Sequence, residues 1–91
     1  MQPEGLVVVA GGGGFIGGWL TRSLVNEGVP VRAVDHKPLD EWYQRFDEAE
    51  NVVLDLRSAE ACRAAVDGAR WVFDLACDMG GMGFIETRKA D

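Results

Sequence analysis

Apolar residues along the chain fall into short bursts of two alternating kinds, and the first is the clearest. Leu6-Val7-Val8-Val9-Ala10 is an unbroken apolar run, rich in β-branched residues and closed by glycine, as expected of a strand covered on both faces. Such burial belongs to a parallel sheet flanked by helices. After the glycines, Phe15, Ile16, Trp19, Leu20, Leu24 and Val25 recur at helical spacing, and Asn26-Glu27-Gly28 supplies a glycine stop. The spacing predicts a helix that lays this stripe back on the sheet. Val31–Asp35 reads as a second strand, so strand, helix and strand follow one another within the ~30 residues of a crossover unit.

Residues 37–51 mix Pro38 with Trp42, Tyr43 and Phe46 among acidic side chains, which predicts a loop with a partial helix and the aromatics as local core. Residues 52–56 read as a third strand. Ser58 then caps a helix through Val66, with Ala61, Cys62, Ala65 and Val66 facing inward and Gly68 closing it. Residues 71–76 read as a fourth strand. The alternation predicts an α/β fold, a Rossmann-type doubly wound parallel sheet of strand order 3-2-1-4, with ligands at the carboxyl edge between the first and fourth strands. Residues 1–91 are expected to be the N-terminal portion of this Rossmann-type domain. Residues 86–91 look like the opening of another helix, and the fourth strand would otherwise be left as a bare parallel edge.

Composition narrows the function. With 47% hydrophobic and 26% charged residues, the 91-residue chain has the make-up of a folded domain rather than a disordered one. A formal charge of −6 without any cluster of Lys and Arg argues against nucleic acid, so an anionic ligand must be held by local dipoles. Cys62 and Cys77 have neither metal-ligand spacing nor the density of a disulfide scaffold, which points to no metal and to a reduced, cytoplasmic setting. Residues 5–20 lack charge, but glycines interrupt them and Glu4 stands where a basic leader region should be, so neither export nor a membrane span is expected.

The chemistry lies in the glycines. Gly12-x-Gly14-x-x-Gly17 fits the general dinucleotide fingerprint, and Gly11-x-x-Gly14-x-x-Gly17 fits the spacing of extended short-chain dehydrogenase/reductases. They follow a strand, open a helix and precede an acidic residue, Asp35, about 20 positions on. The early glycines permit a tight turn and close approach to phosphate, and the last permits close helix–sheet packing. The N–H groups and helix dipole attract the anion. Asp35, ending strand two, can accept hydrogen bonds from both ribose hydroxyls and would repel a 2′-phosphate; this favours NAD over NADP, with Lys37 pulling the other way. Asp55-Leu56-Arg57 ends strand three, where a carboxylate and backbone can reach adenine; Asp55 simply ending the strand before Ser58 fits the sequence equally well. His36 reads as a loop position beside adenine rather than a catalytic group. Cys62 reads as core and Cys77 as a small buried residue. Residues 78–85 lie where ligands bind, their glycines admitting a substrate to the backbone and Met79, Met82 and Phe84 packing on a sugar or on nicotinamide; a hinge into the next helix is the lesser alternative.

Residues 11–17, Asp35, Asp55-Leu56-Arg57, Val72-Phe73-x-Leu75-Ala76 and, above all, Asp-Met-Gly-Gly-Met-Gly-Phe-Ile at 78–85 resemble the start of the GDP-mannose 3,5-epimerase family. The likeness spans nearly the whole chain. It implies retained NAD that oxidises a sugar hydroxyl to a ketone, acidifying neighbouring C–H bonds for proton exchange, and then reduces it again. By position it implies a pyrophosphate site at Gly11, Gly14, Phe15, Ile16 and Gly17, a ribose site at Asp35, and an adenine site at Asp55 and Leu56. Leu75 and Ala76 fall on the nicotinamide side, and Met79 and Gly80 would touch substrate, a nucleotide sugar with GDP-hexose favoured. A homodimer is expected for the full-length protein. Cys77 stands where the family usually has alanine, and His36 where an aromatic residue is common. The family's Tyr-x-x-x-Lys pair has no match, since Tyr43 is followed by Asp47, and its acid and base lie beyond residue 91. No catalytic residue is therefore expected here. A dehydratase or reductase of the same class, or a non-catalytic dinucleotide-binding module, are the competing readings.

Overall fold

The apolar run Leu6–Ala10 forms β1, an inner strand of a four-stranded parallel sheet, and Val7, Val8 and Val9 are fully buried. The computed structural model describes residues 5–76; Cys77, Met79, Gly80, the rest of 78–85 and the helical start expected at 86–91 lie outside the described residues. β2 (Val31–Asp35), β3 (Glu50–Val53) and β4 (Ala69–Asp74) complete the sheet in the order β3-β2-β1-β4, the predicted 3-2-1-4. Helices α1 (Phe15–Asn26) and α2 (Ala59–Val66) connect β1 to β2 and β3 to β4. Alternate residues of β1 feed two cores. Val7 and Val9 pack with Leu24 of α1, Val29, Val31 and Ala49, whereas Val8 packs with Val34 and with Ala65 of α2. Each helix therefore covers one face, and each fully buried valine is worth about 1.5–3 kcal/mol over its exposed state.

The stripe expected on α1 is only partly the buried one. Leu20, Leu24 and Val25 pack on the core, but Phe15, Ile16 and Trp19 are 58%, 65% and 46% exposed. The residues that α1 buries are Gly17, Gly18, Thr21 and Leu24. The helix starts so close to the preceding turn that an added Cβ on Gly17 would overlap the Gly11 carbonyl oxygen, so small residues face the sheet and bulky ones turn away. Thr21 Oγ1 donates to the Gly17 carbonyl at 2.8 Å, and the Arg22 guanidinium carbon lies 5.2 Å from the Trp19 ring centroid. Gly28, at φ +79°, ends the helix with its N–H on the Val25 carbonyl, as expected.

Two strands are shifted from their expected bounds. β3 begins at Glu50 rather than 52 because Glu50 pairs in register with Arg32 of β2 and receives the Arg32 Nε–H at 2.9 Å; only the Leu54 N–H to Asp35 carbonyl bond continues the ladder past Val53. β4 begins at Ala69 rather than 71 and ends at Asp74, although Leu75 N–H still reaches the Ala10 carbonyl at 2.8 Å. Arg32 does more than pair. Its Nη1 donates to the carbonyls of Ala65 and Asp67 at 2.8 Å each, so one guanidinium, with a side chain 16% exposed, joins β2, β3 and the negative end of α2.

Ser58 caps α2 as expected, its Oγ accepting the Ala61 N–H at 3.2 Å. Ala65 is buried and Ala61 and Cys62 are half-buried, but Val66, expected inside, is exposed. Between β2 and β3 the partial helix is a single 3-10 turn, Leu39–Glu41. Trp42 is buried and Phe46 packs on the core, whereas Tyr43 is 57% exposed and meets Phe15 edge-on at 4.9 Å between centroids. Among the described residues no helix is long and apolar enough to cross a membrane.

Candidate functional site

The turn after β1 is held by the sheet beneath it. Gly11, at φ +88°, reverses the chain in a conformation that L side chains rarely adopt, and the N–H groups of Gly11 and Gly12 both donate to the Val34 carbonyl, at 2.8 and 3.0 Å. Gly14 N–H closes the turn on the Gly11 carbonyl at 3.0 Å, and Gly14 is the N-cap of α1. No side chain caps this end and no acidic residue lies in its first turn. The first intrahelical bond is Gly18 N–H to the Gly14 carbonyl, so the N–H groups of Phe15, Ile16 and Gly17 precede the helical ladder. An uncapped helix start carries about half a positive charge and outward donors, which is the physics of an anion cradle.

Asp35 sits beside this cradle at the end of β2, 6% exposed. Its Oδ2 accepts the Gly13 N–H at 3.0 Å and its Oδ1 the Lys37 N–H at 3.1 Å, with His36 Nδ1 3.5 Å from Oδ1. Charge-assisted bonds to backbone donors let a carboxylate stay in so buried a place. Asp35 thus has a task that sequence reasoning missed: it braces the glycine turn across 22 residues of chain. No local signal announces such a bond.

A cleft of about 310 Å³ opens at the carboxyl edge of the sheet. Gly11, Gly14 and Asp35 line it at the ends of the two inner strands, with Leu75 and Ala76 on the β4 side and Asp55 and Leu56 on the β3 side. His36 also lines it, and so do Lys37, Leu54 and Arg57. Of the expected cofactor residues, Phe15, Ile16 and Gly17 do not line the cleft, and the side chains of the first two are exposed. A Cβ added at Gly14 would meet only the Gly11 carbonyl oxygen, at 3.4 Å, so glycine there leaves room in the cleft rather than relieving packing. The cradle, the carboxylate at the strand end and the apolar floor fit a dinucleotide laid across the sheet edge.

Asp55 lies at the cleft's far wall and forms a fork with Arg57, whose Nε and Nη2 reach Oδ1 and Oδ2 at 3.0 and 2.9 Å. The side-chain bonds from the Arg57 guanidinium, then its backbone N–H, hold the Asp55 carboxyl down from 3.8 to about 2. A lowered carboxyl contributes stability above its unfolded value, and that contribution is lost as pH falls through about 2. In Arg57→Ala the Asp55 midpoint should rise toward 3.8 in a carboxyl-carbon NMR titration. A midpoint that does not move would mean the fork does not form.

Comparison with known proteins places this geometry. A model of the 3-beta hydroxysteroid dehydrogenase/isomerase family matches residues 8–90. The chain is 40% identical over 84 residues to GDP-mannose 3,5-epimerase of Arabidopsis thaliana, covering 92% of this chain and 22% of that protein. It is 35% identical over 79 residues to a 3 beta-hydroxysteroid dehydrogenase/Delta 5→4-isomerase of Mycobacterium tuberculosis, covering 87% and 21%. Among solved structures, a short-chain dehydrogenase/reductase superfamily protein from Agrobacterium tumefaciens with bound NAD superposes with a TM-score of 0.67 at 26% identity, over 86% of this chain and 22% of that one. The chain thus spans about a fifth of the length of these relatives. With the family model matched over nearly all its length, the chain belongs to the 3-beta hydroxysteroid dehydrogenase/isomerase family.

Proposed function

We propose that this chain is the NAD-binding portion of a nucleotide-sugar epimerase most like GDP-mannose 3,5-epimerase. One observation carries the reading: an uncapped helix start and a buried carboxylate flank the same cleft, one suited to a diphosphate and the other to a ribose. The cradle N–H groups bind the pyrophosphate, and Asp35 takes the adenosine-ribose hydroxyls with the acceptor capacity its two backbone bonds leave free. Asp55 and Leu56 form the adenine side, and Leu75 and Ala76 the nicotinamide side. NAD supplies a hydride acceptor that removes hydrogen from a sugar carbinol and returns it. Holding and orienting that cofactor is the work of these residues; the acid and base of epimerisation are expected beyond residue 91.

The 38% and 40% identities to GDP-mannose 3,5-epimerases of rice and Arabidopsis support a nucleotide-sugar substrate, with Met79 and Gly80 as its contacts. A second reading, a dehydrogenase of another alcohol such as a hydroxysteroid, is favoured by the mycobacterial relative and by the description of the matching family. Calorimetric titration of the full-length protein should give NAD binding tighter than NADP, and NMR of the products should give epimerised GDP-mannose. Absence of NAD binding overturns the cofactor assignment. Turnover of a steroid alcohol but not of the nucleotide sugar would install the second reading.

A further inference from the structure

Gly13 is the member of the glycine run whose lack of a side chain is dictated by an aromatic ring, one carried by the connection between β2 and β3. Its φ is not positive, the positive-φ glycines among the described residues being Gly5, Gly11, Gly28 and Gly68. What forbids a side chain is Trp42: a Cβ on Gly13 would stand 2.8 Å from indole Cδ1 and Cγ. The indole is 8% exposed and is fixed in orientation by its Nε1–H, which donates to the Lys37 carbonyl at 2.9 Å. The next residue completes the grip, Tyr43 N–H donating to the Gly13 carbonyl at 2.8 Å, while Gly13 N–H donates to Asp35. Gly13 is therefore held by a carboxylate, an amide and an aromatic face at once.

We infer that Trp42 is a positioning residue for the anion cradle, pressing the glycine turn, whose own N–H groups are all bonded within the fold, into the shape that sets the N–H groups of Phe15, Ile16 and Gly17 at the start of α1. Four consecutive glycines have the greatest conformational freedom of any tetrapeptide, and a ligand that had to order them would bind more weakly by that entropy. A rigid ring with one anchored edge removes the freedom before the ligand arrives. Filling a core needs only apolar volume, whereas this role also needs a flat face at Gly13 and the bond to Lys37. The inference rests on the proposed dinucleotide site for its functional meaning, and its test separates the two.

Hydrogen–deuterium exchange and NAD titration of the full-length protein, with Trp42→Leu, Trp42→Phe, Gly13→Ala and the double variant Gly13→Ala/Trp42→Leu, decide it. Trp42→Leu should speed exchange of residues 11–18 by about tenfold relative to residues 6–10 and weaken NAD by about tenfold, with Trp42→Phe between it and the unaltered protein. Gly13→Ala should cost about tenfold in NAD affinity beside the indole but less than about threefold once leucine has made room, a non-additivity expected of coupled neighbours and not of independent sites. Exchange that rises equally in β1 and the turn, or a Gly13→Ala penalty equal in both backgrounds, would reduce Trp42 to core filling and overturn the inference. A protein that binds no NAD would refute the proposed cofactor site, and the exchange pattern would still decide whether Trp42 holds the turn.

Discussion

Gly17→Ala is expected to cost about 3 kcal/mol of folding stability, at the upper end for an overpacked site, and to abolish NAD binding. The added methyl would overlap the Gly11 carbonyl oxygen and approach the Gly11 carbonyl carbon to 2.8 Å and Gly12 Cα to 2.9 Å. All three are backbone atoms, so no rotamer change relieves the clash. Either α1 moves off the sheet, opening the core around Leu24, or the turn moves and its bonds to the Val34 carbonyl break. Gly14→Ala is the control that separates packing from ligand space. Its Cβ meets only one atom, at 3.4 Å, and should cost the fold about 1 kcal/mol through the poorer N-cap while still obstructing the cleft that Gly14 lines. Urea denaturation should therefore distinguish the two variants where NAD titration does not. Equal midpoints for Gly17→Ala and Gly14→Ala would contradict the close helix–turn approach.

That contrast also marks where the sequence is legible. β1 and the strand order follow from local patterns, a β-branched run closed by glycine and the alternation of strands with helices, and both depend on neighbours in the chain. The burial of α1 does not. Hydropathy gives weight to Phe15, Ile16 and Trp19 and almost none to glycine, yet contact distance makes Gly17 and Gly18 the inward face and leaves the large residues outside. β3 was readable as a strand but not in its bounds, because Glu50 joins the ladder through a partner on another strand, Arg32. Likewise the cradle's glycines were readable, while the side chains that immobilise them, Asp35 and Trp42, reach Gly13 across long stretches of sequence. Local sequence thus encodes what the site is made of, and tertiary contact encodes what keeps it in shape.

Asp35 is where these two kinds of information meet, and its replacement should have a double effect. In Asp35→Ala the Gly13 N–H loses a charged acceptor in a buried place, at about 1.5–3 kcal/mol, and the part-buried Lys37 N–H loses another that water can largely replace, so destabilisation of about 2–4 kcal/mol is expected. NAD affinity should fall by more than tenfold, on the same scale of about 1.5–3 kcal/mol per charged bond to the ribose, and the preference over NADP should narrow because the charge that repels a 2′-phosphate is gone. Asp35→Asn separates the roles. The amide keeps the shape and one acceptor oxygen, but its NH2 must face either the Gly13 or the Lys37 donor, so about half of the stability loss should return. The discrimination against NADP should not return, since it depends on charge rather than shape. Stability from denaturation and both affinities from calorimetry test the division. Lowered stability with an unchanged NAD-to-NADP ratio in both variants would leave Asp35 as a brace for the turn and remove it from the ribose site.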